Sequence, residues 1–344
     1  MRLLTYANAI AEATVQAMAT DESIFLTGIG VGYSSGVFAT TSSANEAFGK
    51  NRVFESPAME NAITGICMGA AAMGMRPLLV HYRNDFLFLS LDQLINLCSK
   101  WHYMFGGNTP HAPLVIRAVI GRGWGQGATH SQSIQSTLAH YPGLCVLMPT
   151  FPYDAKGMLI SALKSNSTVI ILEHRSLFEL TGEVPKEIYE IELGKAKIVR
   201  EGSDLTIVAS SYMVLEAISA AKFLAHHGLS IEVIDLRSIK PLDKETILES
   251  VKKTGHLVVA DTSWINYGVS SEISALVAEE GFQDLKKPII RIGLPNCPAP
   301  TAKSLEDVYY PRALQIAEAV VRLLGRTNIE VVLKPDIDTF SGPY

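Results

Sequence analysis

The stretch that decides the fold is ENAITGICMGAAAMGMRPLLVHY, residues 60–82. Its first part, 60–74, has small and apolar residues on nearly every side, and a helix of this kind has to be buried. Its last part, 76–82, is a short apolar run that is typical of a strand covered on both faces. A buried helix followed directly by a buried strand predicts part of a βαβ unit, in which helices cover a parallel sheet.

The same alternation continues in both directions along the chain. Further apolar runs predict strands at 23–28, 112–119, 144–149, 168–174, 204–211, 230–237, 256–262 and 288–294. Helical patterns lie between them at 90–105, 154–165, 213–228, 243–255 and 268–282. Strands that alternate with helices predict α/β folds with right-handed crossovers and largely parallel sheets.

The length of 344 residues indicates more than one hydrophobic core, because domains usually hold roughly 150 residues. A charged segment at 181–204, TGEVPKEIYEIELGKAKIVREGSD, interrupts the alternation. We therefore expect one three-layer α/β domain at 1–182, a linker at 183–203 and a second such domain at 204–327. The polar residues 328–344 would form an extension that either contacts a partner or frays as an ordinary terminus.

Composition excludes several classes of protein. Hydrophobic residues make up 48% of the chain and charged residues 18%, which excludes disorder, and a net charge of −5 gives no basic surface for nucleic acid or an anionic membrane. We find no apolar run long enough to span a membrane and no signal or transit peptide pattern. Four cysteines without CxxC spacing predict reduced thiols in a cytoplasmic protein, and the histidine spacing predicts no metal site in this chain alone.

Glu60 is the first candidate for chemistry. It follows a loop that contains Pro57 and opens the apolar helix, where the positive end of the helix dipole favours a carboxylate. It is either a helix-capping residue or a carboxylate in a dry pocket that shares a proton with a bound heterocycle. The nearby Phe86 and Phe88 are either core residues or a stacking platform.

A glycine-rich stretch, GRGWGQGATHSQS at 121–133, is the second candidate. It is either a flexible surface loop or a backbone that something approaches closely. His130, in the polar end of this stretch, is either a site residue or a loop histidine with satisfied hydrogen bonds. The motif TGIGVG at 27–32 follows a strand, but its Gly-x-Gly-x-Gly spacing favours a turn near a ligand over a dinucleotide fingerprint.

Five long blocks occur in an order that resembles one family. They are residues 52–79, 92–107, 129–159, 193–221 and 231–255. Together they resemble the beta subunit of the thiamine-diphosphate-dependent component of 2-oxo acid dehydrogenase complexes, a relative of the transketolase-like enzymes. The resemblance extends to about residue 325 and implies a transketolase-like pyrimidine-binding domain followed by a transketolase C-terminal domain.

The resemblance also implies roles for individual residues. Glu60 matches the glutamate that hydrogen-bonds the aminopyrimidine ring of thiamine diphosphate and favours its imino tautomer. Phe86 matches an aromatic residue that packs on that ring, and Tyr82 and Ala58 fall in the same pocket. His130 matches the histidine at the reactive side of the cofactor, where it guides proton transfer or the acyl acceptor.

Partners follow from a missing motif. Enzymes of this class hold the diphosphate and its Mg²⁺ with a Gly-Asp-Gly motif, which this sequence lacks. The resemblance therefore implies a separately encoded alpha subunit that holds Mg²⁺, an α2β2 heterotetramer with the cofactor between two chains, and a lipoyl acyltransferase core as a further candidate partner.

Three function hypotheses remain open. The first is decarboxylation of a 2-oxo acid with acyl transfer to a lipoyl group. The second is a transketolase-like carboligase that transfers a two-carbon unit to an aldehyde or sugar without a lipoyl complex. The third is a regulatory or scaffolding relative without turnover, against which the presence of Glu60 and His130 counts.

The sequence departs from the family in three places, one of which is Thr129, where His or Gln is common. Ile29 and Gly30 stand where the family has an acidic pair, in a region that links its active sites, so communication between sites is in question. His81 and Arg83 make the pocket wall more polar than is usual, which indicates a substrate with hydroxyl or phosphate groups. Two further candidates for choosing the substrate lie in the glycine-rich stretch, namely Arg122 and Trp124.

Overall fold

The computed structural model describes residues 1–108, 111–121 and 125–333. The chain forms two compact units. Unit 1 consists of residues 1–120 and 137–193, and unit 2 consists of residues 121–136 together with the described residues after Leu193. The predicted linker at 183–203 contains the point where the units divide, between Leu193 and Gly194, but its exact bounds stay a prediction. Among the described residues, no helix is both long and apolar enough to cross a membrane.

Unit 1 is built on a parallel sheet. Its strands are β1 (Arg2–Thr5), β2 (Ile24–Gly28), β3 (Val53–Glu55), β4 (Arg76–His81), β5 (Leu114–Ile120), β6 (Leu144–Leu147), β7 (Thr168–His174) and β8 (Thr181–Val184). The parallel strands follow the order β6-β7-β5-β4-β2-β3, while β1 and β8 form a separate antiparallel pair. Every residue of β5 and β7 is buried, as expected for apolar strands covered on both faces.

The helices of the first half of the chain flank this sheet. They are α1 (Tyr6–Thr20), α2 (Ser42–Phe48), α3 (Glu60–Ala72), α4 (Trp101–Met104), α5 (Gln135–His140) and α6 (Pro152–Lys164). Helix α3 packs on β4, whereas α1 packs on α6. The expectation that 60–74 is buried all round is wrong for the single chain. Thr64, Cys67, Met68 and Ala71 are buried, but Ile66 is 62% exposed.

The helix predicted at 90–105 is irregular. A 3-10 segment, Asn84–Ser90, leads into a π-helical turn at Asp92–Cys98, and α4 follows. One side-chain hydrogen bond competes with the regular backbone pattern here, since the Ser99 hydroxyl donates to the Ile95 carbonyl at 2.8 Å. The Asn96 amide donates to the Asp92 carboxylate at 2.8 Å, one turn earlier.

Unit 2 has a second, mostly parallel sheet. The strands of this sheet are β9 (Lys197–Arg200), β10 (Leu205–Ala209), β11 (Ile231–Asp235), β13 (Leu257–Trp264) and β14 (Ile290–Leu294), whereas the short strand β12 (Ser238–Lys240) lies outside it. Its helices are α7 (Tyr212–Ala225), α8 (Lys244–Thr254), α9 (Val269–Glu280), α10 (Lys303–Tyr309) and α11 (Ala313–Leu324). The sheet order is β14-β13-β10-β11-β9, with β9 antiparallel to β11 and the other pairs parallel.

Each sheet reverses its strand order at one point. In unit 1 the chain leaves β2 toward one edge and β4 toward the other, so the reversal lies between these two neighbours. In unit 2 it lies between β10 and β13. Such a reversal opens a crevice beyond the carboxyl ends of the strands, where ligands of open parallel sheets bind. The α/β fold predicted from the sequence is confirmed, and these two crevices are where a site is expected.

Candidate functional site

The crevice of unit 1 is shaped by glycines at the end of β2. A Cβ on Gly28, which has φ +147°, would lie 2.2 Å from the Val80 carbonyl oxygen, so only glycine allows β2 and β4 to end this close together. Gly30 has φ +79°, and a Cβ there would lie 2.7 Å from Cε2 of Tyr82. The loop after β2 therefore rests its bare backbone against the tyrosine ring.

Glu55, the last residue of β3, holds this loop in place. Its Oε1 accepts a hydrogen bond from the Gly30 amide at 2.6 Å, and its Oε2 accepts one from the Gly32 amide at 2.8 Å. No sequence motif marks Glu55 as a candidate. A glycine loop with free amides beside an acidic strand end was the signal that could have found it. Ile29 and Gly30 stand where the family has an acidic pair, but the carboxylate of Glu55, on β3, is hydrogen-bonded to this loop.

Glu60 is the first residue of α3 and is half-buried. In the described part of the chain, no hydrogen bond or ion pair reaches its carboxylate, while its carbonyl oxygen accepts a bond from the Thr64 hydroxyl at 2.7 Å. The helix N-terminus stabilises the negative charge. The carboxylate can therefore accept a hydrogen bond from a ligand or from another chain.

Aromatic residues lie on the element next to α3. The Thr64 hydroxyl donates to Ser90 Oγ at 3.0 Å, which joins α3 to the segment that carries Phe86. Phe86 is 37% exposed, so it is not a core residue. Tyr82 is half-buried, and its ring centroid lies 5.0 Å from that of Phe38. Ala58, two residues before α3, is exposed. Unit 1 thus brings the elements of all four predicted cofactor residues to one edge of its sheet.

The predicted polar wall is buried. His81 is 3% exposed, and within the described residues its Nε2 has no hydrogen-bond partner. Burial lowers the pKa of His81 to about 4, so its imidazole is neutral at physiological pH. Arg83 is buried as well, and the Asn84 amide donates to the Asp85 carboxylate at 3.1 Å.

His130 belongs to unit 2 and is half-buried. It follows a 3-10 turn, Gly127–Thr129, and its Nδ1 lies 2.9 Å from the Thr129 hydroxyl oxygen. That hydrogen bond orients the ring in either tautomer, because a hydroxyl can donate to Nδ1 or accept from it. Arg122 and Trp124 lie outside the described residues, so their role stays a prediction. Over the described ranges, no three His, Cys, Asp or Glu side chains are grouped to hold a metal ion.

Two family models match the chain, and the second begins at the residue where the chain passes from unit 1 to unit 2. Residues 2–181 match the pyrimidine binding domain of transketolase, and residues 194–316 match the transketolase C-terminal domain. A solved structure, "Split gene transketolase, inactive beta4 tetramer", matches with a TM-score of 0.76 and 23% identity, covering 94% of this chain and 98% of that one. At this identity the likeness supports the fold.

Sequence relatives narrow the class. The beta subunit of acetoin:2,6-dichlorophenolindophenol oxidoreductase from Cupriavidus necator is 42% identical over 92% of this chain and 96% of its own length. The pyruvate dehydrogenase E1 component subunit beta of Rickettsia conorii is 37% identical over 93% and 98%. The 2-oxoisovalerate dehydrogenase subunit beta of Bacillus subtilis is 37% identical over 94% and 99%. The chain therefore belongs to the transketolase family, among the beta subunits of such dehydrogenases, which confirms the resemblance.

Proposed function

We propose that this chain is the beta subunit of a thiamine-diphosphate-dependent heterotetramer that decarboxylates a 2-oxo acid and passes the acyl group to a lipoyl group. The observation that carries the proposal is the carboxylate of Glu60. It opens α3 at the ligand-binding edge of a pyrimidine-binding domain and has no partner within the described residues.

The residues of this edge fit an aminopyrimidine. A carboxyl group can share a proton with a ring nitrogen, and the partly exposed rings of Phe86 and Tyr82 offer apolar surfaces to a flat heterocycle. The small Ala58 leaves room beside Glu60. When bound, thiamine diphosphate supplies the electron sink for breaking a carbon–carbon bond next to a carbonyl.

Glu60 is assigned to the ring nitrogen of the aminopyrimidine, where its carboxylate would accept a hydrogen bond from the protonated nitrogen and so favour the imino tautomer. A hydrogen bond in a partly buried setting is stronger than in water. We assign proton transfer to and from the substrate to His130, because an imidazole can give and take a proton near neutral pH. Thr129 orients this ring through Nδ1, and we assign Nε2 to the substrate.

The partners are proposed from sequence and from the relatives. The chain has no Gly-Asp-Gly motif, so we assign the diphosphate and Mg²⁺ to a separately encoded alpha subunit in an α2β2 assembly. The names of the relatives as beta subunits support this assignment. A lipoyl acyltransferase core is the proposed acyl acceptor. The buried thiols of Cys67 and Cys98, both free, support a cytoplasmic location.

A second candidate substrate is an α-hydroxy ketone or a sugar. The observation that favours it is the polar sequence at the carboxyl end of β4, where His81 and Arg83 lie. Two relatives are named for acetoin, a hydroxy ketone. This hypothesis keeps Glu60 and His130 in the same roles.

The substitution Glu60→Gln tests the main proposal. Glutamine fills the same space but cannot share a proton in the same way, so kcat in the assembled enzyme should fall by about 10²–10⁴-fold. Assembly, measured by light scattering after size exclusion, should be unchanged. Glu46→Gln, at an exposed position on α2, is the matched control and should keep full activity. An unchanged kcat for Glu60→Gln would refute the mechanism.

A further inference from the structure

The crevice of unit 2 is filled by protein groups. Asp261, at the carboxyl end of the pairing between β10 and β13, is 3% exposed. Its Oδ1 accepts hydrogen bonds from Gln135 Nε2 at 2.7 Å, the Thr262 amide at 2.8 Å and Ser210 Oγ at 3.3 Å. Its Oδ2 accepts one from Ser263 Oγ. The carboxylate therefore occupies the point where a ligand of such a sheet would bind.

The surroundings of Asp261 stabilise a buried negative charge without a cation. No ion pair reaches it from the described residues, but four donors surround it. The N-terminus of α9 is close as well, since a Cβ on its capping residue Gly268 would lie 3.6 Å from Oδ2. Several donors and a helix N-terminus together compensate for lost hydration.

Through this carboxylate, the end of the glycine-rich loop is held to β13. Ser133 Oγ donates to Gln135 Oε1 at 2.8 Å and lies 2.9 Å from Thr262 Oγ1. Gln135 Nε2 is 3.1 Å from the same Thr262 oxygen. These side chains are all buried, so their hydrogen bonds are protected from exchange with water.

The other end of the loop is held by close packing. A Cβ on Gly127, which has φ +65°, would lie 2.5 Å from Thr301 Oγ1. The amide of Gly121 donates to the Gln132 carbonyl at 3.4 Å and closes the loop on itself. His130 lies midway, three residues from Gly127 and three from Ser133. Its backbone is thus fixed on both sides.

We propose that Gln135 and Asp261 are positioning residues for His130. We call the hydrogen bonds among Gln135, Asp261, Thr262 and Ser133 the Asp261 clamp. The clamp lies in the crevice of unit 2 and fixes the backbone that carries His130. The inference rests on the proposed role of His130. A shift of about 1 Å in a reacting group can cost about 10²-fold in rate, so the clamp matters for catalysis although it touches no substrate.

Gln135→Met tests the clamp, because methionine has a similar length and no strong hydrogen-bonding atoms. In the assembled enzyme we expect kcat to fall about 10- to 100-fold with KM for the substrate unchanged. Asp261→Leu should act alike, whereas Asp261→Asn keeps an oxygen for Gln135 and should retain most activity. Thr254→Val removes a buried hydroxyl bond to Thr206 elsewhere in unit 2 and should leave kcat unchanged. A normal kcat for Gln135→Met would overturn the inference.

A double-mutant cycle separates the clamp from the role of His130. In a His130→Ala background, Gln135→Met should cause no further loss of kcat if the clamp acts through His130. If His130→Ala is impaired and Gln135→Met lowers kcat again by its full factor, the clamp inference fails while the proposed function stands. If His130→Ala keeps full activity, the proposed role of His130 fails and the clamp inference fails with it.

A readout without cofactor or turnover is the ¹⁵N spectrum of the histidine rings in the full-length chain. The wild-type protein should show one set of ring signals for His130, because the ring is held in one orientation by the clamp and by Thr129. Gln135→Met should shift or broaden these signals, and Asp261→Asn should leave them unchanged. Identical His130 signals in wild type and Gln135→Met would overturn the inference.

Discussion

At the scale of single residues, His81 shows how burial at a strand end sets a protonation state. The imidazole lies at the end of β4, and within the described chain its Nε2 has no hydrogen-bond partner. Burial penalises the charged form and lowers its pKa from 6.5 to about 4. A neutral ring can accept or donate a hydrogen bond, which suits recognition of a substrate hydroxyl better than ion pairing.

This protonation state predicts an acid-sensitive stability. Between pH 6.5 and about 4, the unfolded chain binds a proton at His81 and the native chain does not. The free energy of unfolding should therefore fall as pH drops through this window, by on the order of 3 kcal/mol, and change no further below it. Urea unfolding of the wild type and of His81→Phe over this range measures the effect. Equal pH dependence for the two proteins would contradict it.

The sequence reveals a candidate residue when its type is unusual for its position in the pattern. It does not reveal a residue whose partners are backbone amides or side chains far away in the chain. Glu60 and His130 were predicted because a carboxylate before an apolar helix and a histidine after a glycine run are conspicuous. Glu55 was missed because its partners are the amides of Gly30 and Gly32, about two dozen residues earlier. Asp261 is not conspicuous in the sequence either, because its partner Gln135, the first residue of α5, lies 126 residues earlier in the chain.

At the scale of elements, Arg76 fastens the start of β4 to the end of α6. Its guanidinium donates to the carbonyls of Leu163 at 3.0 Å and Ser165 at 2.7 Å, and to the side chain of Asn166 at 3.0 Å. The last carbonyls of a helix have no partner within it, and a cation is favoured beside them. One side chain therefore caps α6 and fixes it to the sheet.

Arg76→Met should lower the free energy of unfolding by about 1–3 kcal/mol, because the carbonyls at the end of α6 lose their donor. Chemical unfolding monitored by circular dichroism measures the change. Arg326→Met is a suitable control, since Arg326 is exposed just after the end of α11 and should tolerate the change within about 0.5 kcal/mol. Equal stability of Arg76→Met and the control would show that the cap contributes nothing.

Element types were predictable from periodicity, but their exposed faces were not. The small-residue pattern of α3 correctly predicted a helix, while Ile66 on its outer face is exposed in the single chain. A hydrophobic pattern does not show whether an apolar helix face is buried by the same chain or by another one. The helix predicted at 90–105 is irregular, and the Ser99 hydroxyl, which takes the Ile95 carbonyl, is one local reason.

At the scale of the whole molecule, two parallel sheets were predictable and their strand orders were not. Strand order depends on the side of the sheet edge to which each connection carries the next strand, and hydrophobic periodicity holds no information about that direction. The antiparallel strand β9 lies in the charged segment for which the sequence predicts a linker. Its sequence, KIVR, is too short and too mixed to give a strong strand pattern. The grouping of residues 121–136 with unit 2 is likewise a long-range property.

If the active site is shared between two subunits, the chain alone should be inactive. Because the chain has no Gly-Asp-Gly motif, it should show no turnover alone with thiamine diphosphate, Mg²⁺ and substrate. Adding an alpha chain that carries the motif should give activity, measured by reduction of a lipoyl domain in the presence of a 2-oxo acid. Pyruvate, acetoin and a ketose phosphate should be compared in the same assay.

The acceptor decides between the candidate reactions. Reduction of the lipoyl domain that requires the oxo acid supports the dehydrogenase proposal, and ketol formation from an aldehyde without lipoyl supports the carboligase alternative. If the polar residues His81 and Arg83 at the end of β4 select the substrate, hydroxylated substrates should have the higher kcat/KM. A preference for pyruvate would contradict the role given to this polar wall, and turnover by the chain alone would contradict the need for an alpha subunit.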